Sequence, residues 1–258
     1  MKTEHREIAI AWSSRVAFAI GLVYFVSMFI IPAFKSGFDW QHVQNVWDRW
    51  QALNVGMLAF ISSIVAFSIS RYIEHERKER DFIAARAFLP EALSELTSYF
   101  TASAVLLKEA WEKKEQRPRK PLDSQCPSLP ALYKEVFGNC IRNAPPDVRD
   151  YLAQILVNLQ IHHARMSGLF ELFLQERGQI LIPENIITYI YRLGELHALC
   201  GRLFEYSRGW EDFNGSSLSE DDIQNAYGNL HIFPEQYGDL IGFTKRRVLR
   251  ASNEIDRT

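Results

Sequence analysis

The sequence predicts an all-α fold in two parts, an N-terminal two-helix transmembrane hairpin followed by a cytoplasmic helical bundle. Three observations predict it. Two apolar stretches free of Asp, Glu, Lys and Arg, Val16 to Phe34 and Gln51 to Ser70, stand close together near the start. Positions 57–89 contain neither Gly nor Pro, so a helix begun in the second stretch meets nothing that stops it. Beyond position 90, apolar residues recur at steps of three and four, the period of an amphipathic helix.

Positions 1–15 read as a short tail. Each apolar stretch is long enough, at 1.5 Å per residue, to cross a hydrocarbon core of roughly 30 Å. The first exceeds the apolar core of a secretory signal, and no small-x-small cleavage site precedes Lys35, so it reads as a retained span. Lys2, Arg6 and Arg15 before the first span, and Arg71, Arg77, Lys78, Arg80 and Arg86 after the second, outweigh Lys35 and Arg49 between them. Basic residues stay on the cytoplasmic side, so both ends are expected in the cytoplasm of an inner-membrane, multi-pass protein. Trp40, Trp47 and Trp50 place the intervening loop along the outer interface, since amphipathic rings prefer the headgroup layer.

The second span is expected to continue through positions 71–89 as a solvated stalk, supported by the one-turn pairs Glu74 with Lys78 and Glu76 with Arg80. Positions 90–258 form the bundle. Its first helix runs from Pro90 to about Lys114, with Leu93, Leu96, Phe100, Leu107 and Trp111 on one face. Prolines dissolve the pattern over 115–130, a linker whose cations Lys113, Lys114, Arg117, Arg119 and Lys120 read as a solvated charged loop; contact with anionic headgroups is the alternative. A short helix spans Ala131 to Asn143. Pro145, Pro146 and Asp147 open a long one that Gly178 closes. Along it Val148, Leu152, Ile155, Leu159, His162, Met166, Leu169 and Phe173 form a seam that requires a partner helix. That partner is the next helix, Pro183 to Arg208, whose Ile186, Ile190, Leu193, His197, Cys200 and Phe204 keep the same rhythm, giving an antiparallel hairpin turning near residue 180. A turn at Asn214 and Gly215, a capping pattern from Ser219 to Asp222, a helix to Asn229 and a last helix from Pro234 complete the chain.

A net charge of -2 in 258 residues gives no basic excess, so direct nucleic-acid binding is not expected. Cys126, Cys140 and Cys200 are odd in number, scattered and absent from the outer loop, which fits a reducing compartment and excludes a disulfide framework. Glycine-rich phosphate loops, Gly-x-Ser-x-Gly elbows and paired Glu-x-x-His motifs are missing, so no cofactor is predicted and enzymatic activity is not the leading expectation.

Three sets of residues are candidates for sites. Under a turn near 180, His162 faces His197 with Cys200 one turn away, a set able to hold a transition metal, although a neutral hydrogen-bonded pair is the plainer reading. Arg192 and His197 combine a phosphate-steadying cation with a proton-transfer group. Their segment, Arg192-Leu-Gly-Glu-Leu-His197, resembles the Arg-x4-His motif of the HEPN ribonucleases, with Leu193 where that family usually has a polar residue. The resemblance covers six residues and implies a dimeric, membrane-tethered ribonuclease. Finally, Gly56, Ala59, Ser63, Ala66 and Ser70 share one face of the second span and let another helix approach closely. Packing on the first span at Ala17 and Gly21 is the simplest use of that face, and self-association of the chain is the other.

The two spans, the stalk to Leu89 and the lack of catalytic motifs together resemble the small two-span membrane effectors of bacterial anti-phage systems, including those attached to retrons. That resemblance implies an effector whose cytoplasmic domain is held by a protein partner and whose release perturbs the inner membrane. A passive anchor that recruits a cytosolic partner is the alternative.

Overall fold

The computed structural model describes residues 12, 15, 18–35, 37, 39–116, 120–174 and 181–255, and among them the regular structure is all helical. The chain divides into two compact units, Met1–Glu74 and His75–Thr258.

In the first unit, α1 (Phe18–Phe34) is apolar and contains a π-helical turn at Val26–Ile30. It leads to α2 (Trp40–Arg49), a helix within what the sequence reading made a plain interfacial loop; the Asp39 carboxylate caps it by accepting from the Gln41 N–H at 3.0 Å. Then comes α3 (Gln51–Arg86), 36 residues without interruption. Among the described residues α3 alone is long and apolar enough to cross a membrane, whereas α1 is shorter than a full span. The expected transmembrane hairpin with spans at 16–34 and 51–70 is therefore reduced to one candidate span, in α3, preceded by a shorter apolar helix, with Val16 and Ala17 outside the described residues.

These helices meet at Asn54, which is 4% exposed. The Tyr24 hydroxyl donates to its Oδ1 at 2.7 Å, and its Nδ2 donates to the Trp47 carbonyl at 3.1 Å. One amide thus joins α1, α2 and α3. The small-residue face plays no part in that junction: Gly56, Ala59, Ser63, Ala66 and Ser70 are all exposed, and nothing lies within 4 Å of a Cβ built on Gly21 or Gly56. Packing of α1 along that face is not seen among the described residues.

Within the second unit, the end of α3 departs from the solvated stalk expected over 71–89. Glu76 and Arg80 pair at 3.7 Å in the open, but Phe82 is buried in the bundle core and Ala85 packs beside it. The chain then enters α4 (Leu89–Lys113), with Pro90 in the first turn where its missing N–H costs nothing. Next come α5 (Tyr133–Asn143), α6 (Pro146–Leu174), α7 (Pro183–Arg208), α8 (Glu220–Asn229) and α9 (Leu240–Ile255). Gly209 ends α7 in the left-handed conformation at φ +75, which a glycine adopts without a Cβ clash. Ser219 and Asp222 form the expected reciprocal capping box at the start of α8. The last helix begins at Leu240 rather than Pro234: Pro234–Gln236 is a 3-10 turn, and Gly238 at φ +55 breaks the path before α9.

Helix α7 is the centre, packing on α4, α6, α8 and α9. It is consequently buried on more sides than one seam requires, including Tyr191, Gly194, Leu196 and Leu199. At Gly194 the approach of α8 leaves no room for a side chain. A Cβ there would stand 2.5 Å from the Tyr227 ring, which is itself fully buried and hydrogen-bonded to Thr244 at 3.0 Å. Gly194→Ala is expected to cost about 1–3 kcal/mol by overpacking, despite alanine's better helix propensity. A chemical-denaturation midpoint equal to or above wild type would contradict this contact.

The linker is tied down where it is described. Glu109 of α4 accepts from the Lys113 ammonium at 2.6 Å, the Asp123 N–H at 2.5 Å, and the Ser124 N–H and hydroxyl at 2.9 and 2.6 Å. Burial alone would raise its carboxyl, but these hydrogen bonds override that and hold it at about 2. Lys113 also pairs with Asp123 at 2.8 Å, and the Lys114 ammonium sits 3.9 Å from the Trp111 ring centre. Two of the cations read as a solvated or headgroup-facing cluster therefore already have partners in the protein; Arg117 and Arg119 lie outside the described residues.

Candidate functional site

The seam of α6 is buried at each expected position, Val148, Leu152, Ile155, Leu159, His162, Met166, Leu169 and Phe173, with Tyr151 added. It runs antiparallel to α7. The Tyr151 hydroxyl donates to the Leu199 carbonyl at 3.0 Å, the Arg165 guanidinium lies 5.6 Å from the Tyr189 ring centre, and Leu169 and Leu181 line one groove. Those pairs centre the hairpin a few residues before 180; residues 175–180, Gly178 among them, lie outside the description.

That register separates the two histidines. The His162 ring packs edge-on against Tyr99 at 6.1 Å, and the His197 ring packs against Phe100 at 6.1 Å, so consecutive aromatics of α4 receive one each. Among the described residues no three His, Cys, Asp or Glu side chains are grouped to hold a metal. Cys200 is buried, and burial pushes its thiol up to about 12, which keeps it a neutral thiol in the metal-free protein.

Arg192 and His197 are likewise apart. Five residues on a helix place their side chains about 140° from one another around the axis. Arg192 pairs with Glu195 at 2.5 Å on the half-exposed side of α7, while His197 is half-buried toward α4 with its pKa lowered by burial. Within one chain they do not converge on a single phosphate.

What the structure does assemble is a cleft of about 60 Å³ between α6 and α7, lined by Asn158, Ile161, His162, Arg165, Arg192 and Leu196. His162 is 1% exposed, and neither ring nitrogen has a hydrogen-bond partner. Burial first, then Arg165 and His163, lowers its pKa to about 3, so the ring is neutral at physiological pH with one donor and one acceptor. A second groove of about 600 Å³ shares Ile161 and Arg165 with this cleft and continues past Tyr189 and Asn185.

Asn158 and Arg165 were absent from the sequence-derived candidates. Their spacing around His162, four residues before and three after, puts all three on one edge of α6, a polar stripe bordering the apolar seam. No known protein family, no curated protein and no solved structure matches this chain.

Proposed function

We propose that this chain is an inner-membrane effector: α3 spans the bilayer with α1 as its companion, and the cytoplasmic bundle, held by a protein partner, controls what the membrane segment does. One observation carries the membrane part. Val55, Leu58, Phe60, Ile61, Ile64, Val65, Phe67, Ile69 and Ile73 stand 37–62% exposed on α3, and only 6% of its most apolar window is buried. Covering a large apolar side chain is worth about 1.5–3 kcal/mol, so nine left in water would forgo on the order of 10 kcal/mol, comparable to the whole stability of a domain. Lipid removes that penalty.

Two further features support an effector over a passive anchor. Helix α3 runs unbroken from its apolar part to Phe82 in the bundle core, so a change in how that core packs has a covalent route toward the bilayer. Its small-residue face is uncovered and available to another copy of the chain, the arrangement from which an oligomeric membrane lesion is built. The basic residues that follow the apolar part of α3, Arg71, Arg77, Lys78, Arg80 and Arg86, favour a cytoplasmic bundle.

Full-length protein produced in bacteria without its partner is expected to depolarise the inner membrane and stop growth, while the bundle from His75 onward does neither. Depolarisation is read with a potential-sensitive dye. Full-length expression that leaves potential and growth intact would refute the effector reading and leave the anchor; toxicity of the bundle alone would favour a tethered ribonuclease.

A further inference from the structure

We propose that the cleft between α6 and α7 binds a phosphoryl group, with Arg165 and Arg192 supplying the charge and Asn158 and His162 the directional hydrogen bonds. The inference does not depend on the membrane reading. It starts from His162. A core position on an apolar seam is occupied by a ring whose two nitrogens are buried and unpartnered. Leaving such groups unmade is destabilising, so this ring takes a partner from water or from a ligand that enters the cleft.

The cleft says what kind of partner. Two guanidinium groups line it and no carboxylate does; Glu195 reaches Arg192 from one turn along α7 without lining the space. Arg165 has no carboxylate partner among the described residues and rests on the Tyr189 ring. Glu195 answers the Arg192 charge, so the unanswered charge beside the cavity is that of Arg165, and an oxyanion there answers it while accepting from both forks. Water would answer His162 but not the Arg165 charge. A neutral imidazole offers one donor and one acceptor, which suits a phosphoryl group bearing both bare and protonated oxygens. The volume, about 60 Å³, takes several waters or one phosphoryl group, and the groove sharing Ile161 and Arg165 gives space for the remainder of a larger ligand.

The test uses the full chain in a phosphate-free sugar detergent at constant ionic strength, with two probes: inorganic phosphate, and micelles doped with phosphatidic acid. The readouts are the His162 imidazole NMR signals, assigned by comparison with H162Q, and the thermal unfolding midpoint. Inorganic phosphate is expected to shift the His162 ring signals and raise the midpoint, where chloride does not. R165Q, which breaks no ion pair, should weaken this about tenfold or more, the loss of a charge-assisted contact; R192Q should do the same. A response confined to phosphatidic acid, with the same dependence on Arg165, supports the site and assigns its source to a lipid headgroup. No response of His162 to either probe, or a response that R165Q leaves unchanged, overturns the proposal.

Discussion

Acidifying the protein from pH 6.5 to 4.5 is expected to remove stability through His162 at a slope that approaches roughly 1.4 kcal/mol per pH unit, about 2 kcal/mol in total. The folded-state pKa is lowered from 6.5 to about 3, so between those values the unfolded chain binds a proton that the folded chain refuses. That stability is therefore complete above pH 6.5 and is lost as pH falls toward 3. The surroundings reinforce the refusal: Arg165 and His163 on its own helix, Arg192 across the cleft and the Tyr99 ring offer no anion to welcome an imidazolium. Glu109 begins to lose its contribution only near its ordinary value of 4.5, at the lower edge of the window, whereas His197, also lowered by burial, adds a loss of the same sign, so the His162 share is the difference between wild type and His162→Leu. His162→Leu, of similar volume, should abolish most of this slope and raise stability at pH 7 by about 1–3 kcal/mol, because two buried unmade hydrogen bonds disappear. Urea midpoints at pH 7 and pH 5 for both proteins measure it. An equal acid slope in His162→Leu would show that the titration resides elsewhere.

The second large effect concerns α3. Placing lysine at both Ile61 and Ile64, near the middle of its apolar part, should oppose bilayer insertion by roughly 5–7 kcal/mol, since each cation at a span centre costs about 2.5–3.5 kcal/mol. Both side chains are exposed, at 42% and 37%, so the change disturbs no packing within the chain. The wild type is expected in the membrane pellet and resistant to alkaline carbonate, and the double variant in the supernatant or in aggregates. If the helix were bathed in water instead, the two lysines would improve solubility and leave fractionation unchanged. Opposite signs make the experiment decisive.

Much of this architecture was legible in the residues because it depends on local patterns. The bounds of α7 follow from Pro183 and from Gly209 after Arg208, the start of α8 from Ser219 and Asp222, and the buried edge of α6 from a seam at three- and four-residue steps. What escaped depends on which surfaces meet. The pairing of His162 with His197 assumed that α6 and α7 see only each other, whereas Tyr99 and Phe100 of α4 stand against the two rings. Nothing within α7 announces that it is the central helix, so its burial at Leu196, Ala198 and Leu199 exceeded the predicted stripe. The start of α9 was misplaced because proline opens a 3-10 turn as readily as an α-helix, and the decisive residue was Gly238. The cleft was invisible for a similar reason. Asn158 and Arg165 resemble ordinary surface residues until α7 brings Arg192 opposite them.

Glu109 gathers four donors at the point where the polypeptide leaves α4 and, with Lys113 reaching the Pro121 carbonyl at 2.9 Å, fastens the returning segment beside the end of that helix. The excursion between these anchors is closed at its neck, so its length is decoupled from the packing of the helices. Closure entropy grows only with the logarithm of length, and doubling such a loop costs about 0.6 kcal/mol. Lengthening the chain between Lys113 and Pro121 is therefore expected to leave the thermal midpoint of the bundle nearly unchanged.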